Sequence, residues 1–362
     1  MKKFTLVIVL TFITQAILLS QPCLPSGITL TNQADIDNFS TNHPNCTEIG
    51  GDLIIEGTSI NNLNGLSAIT LIDGTLEVMS CDILSSLTGL NNVTYIDEDL
   101  NIVGNEALFS LLGLEGLTEI GGDFNVRANQ FMVNFSGLNN LTTISGAVWI
   151  YFNSNLSSFI GLESLTSIDD GISIGVYGFP SGTWGNPSLT TLAGLSNLTS
   201  VSGDLIILGN QQLTSLSGLD NIAPATIGNL TIADNSTLTK CEVESICSYL
   251  VSPTGSVTIN SNATGCGSPT EVAFACGITD ISDFNSESEL SIYPNPAETI
   301  LFISSKDEII LKEVSIYNQL GQKVLQENQS VNKVDISMLQ QGSYIVILTS
   351  NELIIRKKLI VK

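Results

Sequence analysis

Apolar and polar positions follow a fixed rhythm through the middle of the chain. Gly-Leu recurs at 65–66, 89–90, 113–114, 137–138 and 161–162, then at 194–195 and 218–219. The step is 24 residues except for one of 33, which carries nine extra residues. One copy reads Leu100-Asn-Ile-Val-Gly-Asn105, then Leu108, Leu111, Gly113-Leu114, Leu117 and Ile120. In its opening segment Leu100 and Ile102 alternate with Asn101 and Val103. Period-two alternation predicts a short strand with one buried face. Apolar positions spaced by three or four then close a coil around the same core. A coil leaves its top and bottom unpaired and gains stability by stacking, so this period predicts a solenoid.

Asn105, Asn129, Asn153, Asn210 and Asn235 hold one equivalent place, where stacked amides would bond buried turn backbone from coil to coil. Cys81 fills that place in its own copy and reads as a buried free thiol. The open ends of a solenoid need covers. Ile36 and Phe39 lie on one face of a short helix predicted after Thr31-Asn32. Val243, Ile246, Cys247 and Leu250 keep helical spacing, and Ser268-Pro-Thr-Glu271 has the form of a capping box. Cys23 and Cys46 bracket the first cover and form the natural disulfide there. Cys241, Cys247, Cys266 and Cys276 gather at the second, where three connectivities exist. Zinc is a poor alternative for them, because the one histidine, His43, is distant in sequence.

The two ends of the chain have other patterns. Lys2 and Lys3 precede an apolar run from Phe4 to Leu19, and Leu18 and Ser20 suit cleavage after Ser20, which predicts a signal peptide over 1–20. No later segment is long and apolar enough to span a membrane. The polar, acidic stretch 278–289 predicts a linker after the coils of 21–277. From 290 to 362, short alternating segments separated by turn signals predict a small Ig-like β-sandwich. The expected fold class is therefore all-β dominated, a β-solenoid with short helical caps followed by that sandwich.

Charge sharpens this division. Residues 21–277 hold 24 acidic side chains against two basic ones, Arg127 and Lys240, whereas 278–362 holds 11 against eight. The whole chain has a formal net charge of −23. Nucleic acid and anionic membrane surfaces would repel it. In an exported chain the six paired-looking cysteines are expected to be bridged.

Two resemblances follow from the motifs. Gly50-Gly-Asp-Leu-Ile-Ile55, with the recurring Gly-Leu and Asn-Leu-Thr elements, resembles the receptor L-domain branch of leucine-rich-repeat-like proteins over about 23–277. That resemblance implies a right-handed β-solenoid used for ligand recognition, and it favours Cys241–Cys266 with Cys247–Cys276. The tail is similar to the type A C-terminal sorting domain of the type IX secretion system. Its motifs include Tyr293-Pro294-Asn295-Pro296, Val314–Lys323 with Gly321, Gly342-Ser-Tyr-Ile-Val, and Lys357-Lys358-Leu-Ile-Val-Lys362. The resemblance implies export through that machinery, removal of the tail by its sorting protease, and a product secreted or attached to the outer-membrane surface.

Signatures of chemistry are scarce. A lone histidine excludes a Ser–His–Asp arrangement, and there is no phosphate loop, nucleotide fingerprint or His-Glu-x-x-His. The expectation is a non-catalytic binding or adhesion protein without cofactor, taking an extracellular glycan or protein. Its alternatives are a structural surface component and a glycoside hydrolase, whose carboxylates carry no sequence signature. Asp52, Asp99, Asp123 and Asp204 share a corner position just before the strands. Calcium would relieve their repulsion, but Thr75, Ala147, Gly171 and Asn229 interrupt the column, and Asp suits turns for local reasons. Turn chemistry is preferred. The other feature is aromatic. With Val148 and Ile150 inward, Trp149 and Tyr151 point out, beside Asn125 and Arg127 of the previous coil. The extra residues fall in the next coil around Tyr177, Phe179 and Trp184. These seven residues form the candidate recognition site, unless the inserted loop folds down so that Trp184 covers Trp149.

Overall fold

The computed structural model describes residues 22–178, 182–278, 290–305, 311–318, 322–328, 332–349 and 354–362. The expected signal peptide, the linker from 279 on, Phe179 and Gly321 lie outside the described residues. The chain divides into two compact units, 1–281 and 282–362.

The first unit is built from two parallel sheets that take strands alternately from the chain. The ten-stranded sheet runs from Ile28–Leu30 through Leu53–Glu56, Leu76–Met79, Leu100–Val103, Phe124–Arg127 and Val148–Tyr151. It continues through Ile172–Ile174, Gly203–Leu208 and Ile227–Ala233 to Val257–Asn260. The seven-stranded sheet has two-residue strands, from Glu48–Ile49 to Ser200–Val201. Strand neighbours are neighbours in chain order throughout, so every coil sits on the one before it. Leu76, Leu100, Phe124, Val148, Ile172 and Leu205 hold one register position, and all are buried. Phe135 bridges the rings of Phe124 and Phe159 within this core, with centroids at 6.0 and 5.3 Å.

The Gly-Leu signal has a steric cause. At Gly113 the backbone takes φ +114°, and an added Cβ would stand 2.0 Å from the Leu87 carbonyl carbon of the preceding coil. Only glycine accepts both the left-handed region and that approach. The residue two places on then caps the glycine N–H: Glu115, Glu163 and Asp220 accept from Gly113, Gly161 and Gly218. The Leu-Thr signal is a ladder too, each Thr hydroxyl donating to the Thr carbonyl one coil back, as Thr118 does to Thr94 at 3.0 Å.

At the N-terminal cover, Asn32 caps Gln33–Asp37 by accepting from Asp35 N–H, and Ile36 and Phe39 are buried. At the other cover lie helices Glu244–Val251 and Pro269–Ala275. Ser268 accepts from Glu271 N–H at 3.2 Å. The Glu271 carboxylate departs from a capping box, since it accepts from Gly265 and Gly267 N–H instead. It thereby ties the helix to the turn before it. Disulfides join Cys23 to Cys46, Cys241 to Cys266 and Cys247 to Cys276.

The second unit is antiparallel. A three-stranded sheet (Leu290–Tyr293, Ile300–Ser305, Lys333–Asp335) and a four-stranded one (Lys323–Asn328, Glu313–Tyr317, Gly342–Thr349, Ile354–Val361) share one core. Leu301 and Val334 from the first meet Val314, Ile316, Val346 and Leu359 from the second. Inward apolar residues from both sheets make this sandwich.

Candidate functional site

An amide ladder frames the strand exits. From Leu76–Met79 onward, the strands of the ten-stranded sheet are followed by a residue in the left-handed region, such as Gly104, Ala128 or Phe152 at φ +65, +58 and +58°. That bend would orphan a strand carbonyl, and the next residue is an asparagine that reaches back to it. Asn105, Asn129 and Asn153 donate from Nδ2 to Val78, Ile102 and Val126 O, each at 2.9 Å. Their Oδ1 atoms accept backbone N–H groups from the preceding coil. Asn186 and Asn262 belong to the same ladder and escape the simple period. The inserted residues shift Asn186, although Asn-x-x-Leu at 186–189 repeats the spacing of 153–156 and would have revealed it. Cys81 ends the ladder as a buried free thiol whose pKa burial pushes up to about 11, so it is protonated and inert.

The aspartate column also serves turns. Asp52, Asp99 and Asp123 accept from the N–H of Thr75, Asp123 and Ala147, one coil on, at 2.7–2.9 Å. Asp204 accepts from both backbone and side chain of Asn229. A Cβ at Gly122 would stand 2.3 Å from Asp99 Oδ1, which is why glycine precedes the position in the next coil. Among the described residues no group of three or more His, Cys, Asp or Glu converges as a metal site.

On the solvent face of the ten-stranded sheet lies a shallow cleft of about 440 Å³. It crosses successive coils. Asp99 and Asn101 supply one end, then Asp123, Asn125 and Arg127, then Trp149 and Tyr151, with Val176 of the inserted segment as the far wall. Asn101, Asn125 and Trp149 are register partners, as are Val103, Arg127 and Tyr151. Trp149 is 39% exposed while Val148 and Ile150 are buried. Arg127 Nη1 donates to the Tyr151 hydroxyl at 3.3 Å. Asn125 Oδ1 is buried with no hydrogen-bond partner.

The structure therefore brings together four of the seven candidate residues, Asn125, Arg127, Trp149 and Tyr151. Two others are placed elsewhere. The insertion forms an antiparallel hairpin, Val176–Tyr177 with Thr183–Trp184. Strand alternation points Val176 into the cleft and leaves Tyr177 65% exposed outside it. Trp184 packs on Phe152, with ring centroids 6.1 Å apart, rather than covering Trp149. Phe152 N–H also donates to Gly185 O at 3.0 Å, so this exposed ring in a left-handed backbone pins the hairpin beside the cleft. The cleft residues Asp99, Asn101, Asp123 and Val176 are not among the candidate ligand contacts. Asn101 was legible as the outward position one coil before Asn125; Val176 required the hairpin.

In the tail, the Tyr-Pro-Asn-Pro motif is a clasp. Asn295 Nδ2 donates to Lys358 O at 2.7 Å, and Asn295 Oδ1 accepts from Ile360 N–H at 2.9 Å. Ala297 continues the attachment to Ile360 and Lys362. The first motif is thus bonded to the backbone of the last, that of Lys357 and Lys358. Pro294 and Pro296 flank the clasp beside Phe302, on which Tyr293 stacks. Gly342 opens the central strand Gly342–Thr349.

Residues 45–112 match the Receptor L domain family model. Residues 291–362 match that of the Secretion system C-terminal sorting domain. No curated protein matches the chain. The sorting domain marks the chain for type IX export to the extracellular space or cell surface. Among the described residues no helix is long and apolar enough to cross a membrane.

Proposed function

We propose that the coil unit is a non-catalytic recognition module, delivered to the cell exterior by its tail, that binds an extracellular ligand in the cleft around Trp149. In this reading the coils form a right-handed solenoid of about 24-residue turns. The observation that carries the reading is the cleft itself. A part-exposed tryptophan and a tyrosine stand on a rigid parallel sheet, next to amide, carboxylate and guanidinium groups and beside a hairpin insertion. Binding sites of this kind combine an apolar surface with a few placed polar groups. The sheet holds them without rearrangement, which lowers the ordering cost of capture. Asp99 and Asp123 each use one oxygen for the next coil's backbone, which supports contact and scaffolding roles over acid–base catalysis.

The test is capture by the mature chain, labelled and applied to arrays of glycans and extracellular proteins. A Trp149→Ala/Tyr151→Ala chain is expected to lose at least about tenfold in retention, as for anchor residues at an interface. Undiminished capture by that double variant, with its fold intact, would refute the cleft as the site. Turnover of a polysaccharide would refute the non-catalytic reading.

A further inference from the structure

We infer that the ligand of this cleft is an uncharged glycan, bound along the stacking direction of the coils by one to three sugar units. The inference rests on the reading of the cleft as the binding face. A pyranose ring has two chemically distinct aspects, a face of C–H groups and a rim of hydroxyls. The first packs on an aromatic ring, and the second takes hydrogen bonds from planar groups that offer donors and acceptors side by side. The cleft supplies both in one place. Trp149 and Tyr151 present aromatic surface, while Asn101 and Asn125 stand in the two coils directly before Trp149. Asn125 also lines the cleft, and its Oδ1, itself buried, is not bonded to the scaffold.

The dimensions agree. Polar positions repeat along the sheet with the strand spacing of about 4.8 Å, a length comparable to one hexose in an extended chain. The cleft crosses three coils before Val176 closes it, which sets the number of units. The charges then select the sugar. Asp99 and Asp123 within the cleft, and the 24 acidic residues of the region around it, repel uronates and sulfated glycans. Arg127 in the centre opposes a lysine or arginine side chain of a basic peptide. A neutral polyhydroxyl ligand meets neither obstacle.

The chain has two tryptophans, so a Trp184→Phe variant leaves Trp149 as its sole indole reporter. This full-length mature variant is titrated with neutral hexasaccharides of glucose, mannose and xylose, with an oligogalacturonate, and with oligolysine. The expected result is saturable change in Trp149 emission with a neutral probe and none with the uronate. The trisaccharide of that probe should bind within about threefold of the hexasaccharide, because only three coils make contact. Asn125→Ala should weaken it about tenfold at unchanged melting temperature. Response to oligolysine alone overturns the sugar assignment and keeps the binding face. A Trp149 emission that answers to no probe overturns the sugar assignment as well. A neutral glycan that still binds Trp149→Ala with full affinity would place recognition elsewhere and overturn both.

Discussion

The coil unit and the tail are both β structures with apolar cores, yet they hold their chains in register by different means. In the coils a polar side chain bonds to its counterpart one coil away. Asn129, Asn153, Asn186 and Asn210 each donate and accept within one column. In the tail Asn295 makes a different kind of tie, joining two segments more than 60 residues apart. Repetition makes a structural side chain recognisable, since its partner sits at a fixed sequence interval. It also makes a departure informative. Seven of the 24 acidic residues in the coils have a place in this scheme, with Asp52, Asp99, Asp123 and Asp204 bonding the next coil and Glu115, Glu163 and Asp220 capping glycines. That part of the charge reflects architecture, and the outward trio Arg127, Trp149 and Tyr151 stands outside the scheme.

The contrast is broken most severely by removing one rung of the ladder. Asn153 Nδ2 donates to Val126 O, Tyr151 O and Asn186 Oδ1, and its Oδ1 accepts from Asn129 N–H and Nδ2. All but the bond to Tyr151 O is buried. Asn153→Ala leaves several groups unsatisfied at about 1–3 kcal/mol each, so a total loss of about 3 kcal/mol or more is expected. A urea midpoint for the coil unit checks it. A change under about 1 kcal/mol would mean that the ladder is ornamental to stability. The tail clasp is smaller. Asn295→Ala removes two partly solvated bonds, for an expected loss of about 1–2 kcal/mol. Hydrogen exchange at Ile360 reports it, with faster exchange there and unchanged protection at Ile102 and Val126 in the coils.

The same distinction decides what was legible in the sequence. The coils, their covers and the tail strands announce themselves through period and alternation, because each buried position is filled by an apolar side chain. The ladder was readable at Asn105, Asn129 and Asn153 and obscured at Asn186, where nine added residues break the interval. For the cleft, outward position follows from alternation alone, which located Asn125, Arg127, Trp149 and Tyr151. The destinations of Tyr177 and Trp184 did not follow, because they depend on how a short hairpin turns after Ile172–Ile174 and on the Phe152 ring that receives it. Long-range packing of that kind has no local pattern.

The smallest effect is expected where the ladder already departs from itself, at Cys81. In the other coils the asparagine Nδ2 reaches the strand carbonyl of the preceding coil and, in most of them, the carbonyl two residues before its own position. Cys81 Sγ lies 3.6 Å from Ile55 O and 3.4 Å from Met79 O, the same two acceptors. Cys81→Asn should therefore complete the column and change stability by no more than about 1 kcal/mol, since one weak thiol donor is exchanged for a stronger amide one. Its clearer signature is in pH. Burial raises the Cys81 thiol from 9.0 to about 11 in the folded chain. The stability tied to the neutral thiol is then fully present below pH 9 and is lost as pH climbs through 11. The urea midpoint of the native chain should hold level from neutrality to the lower bound and fall across that interval, and Cys81→Asn should remove the part of the fall that belongs to the thiol. A variant with the same decline as the native chain would show that other groups govern the alkaline limb. A loss well beyond about 1 kcal/mol at neutral pH would show that the site is shaped for sulfur.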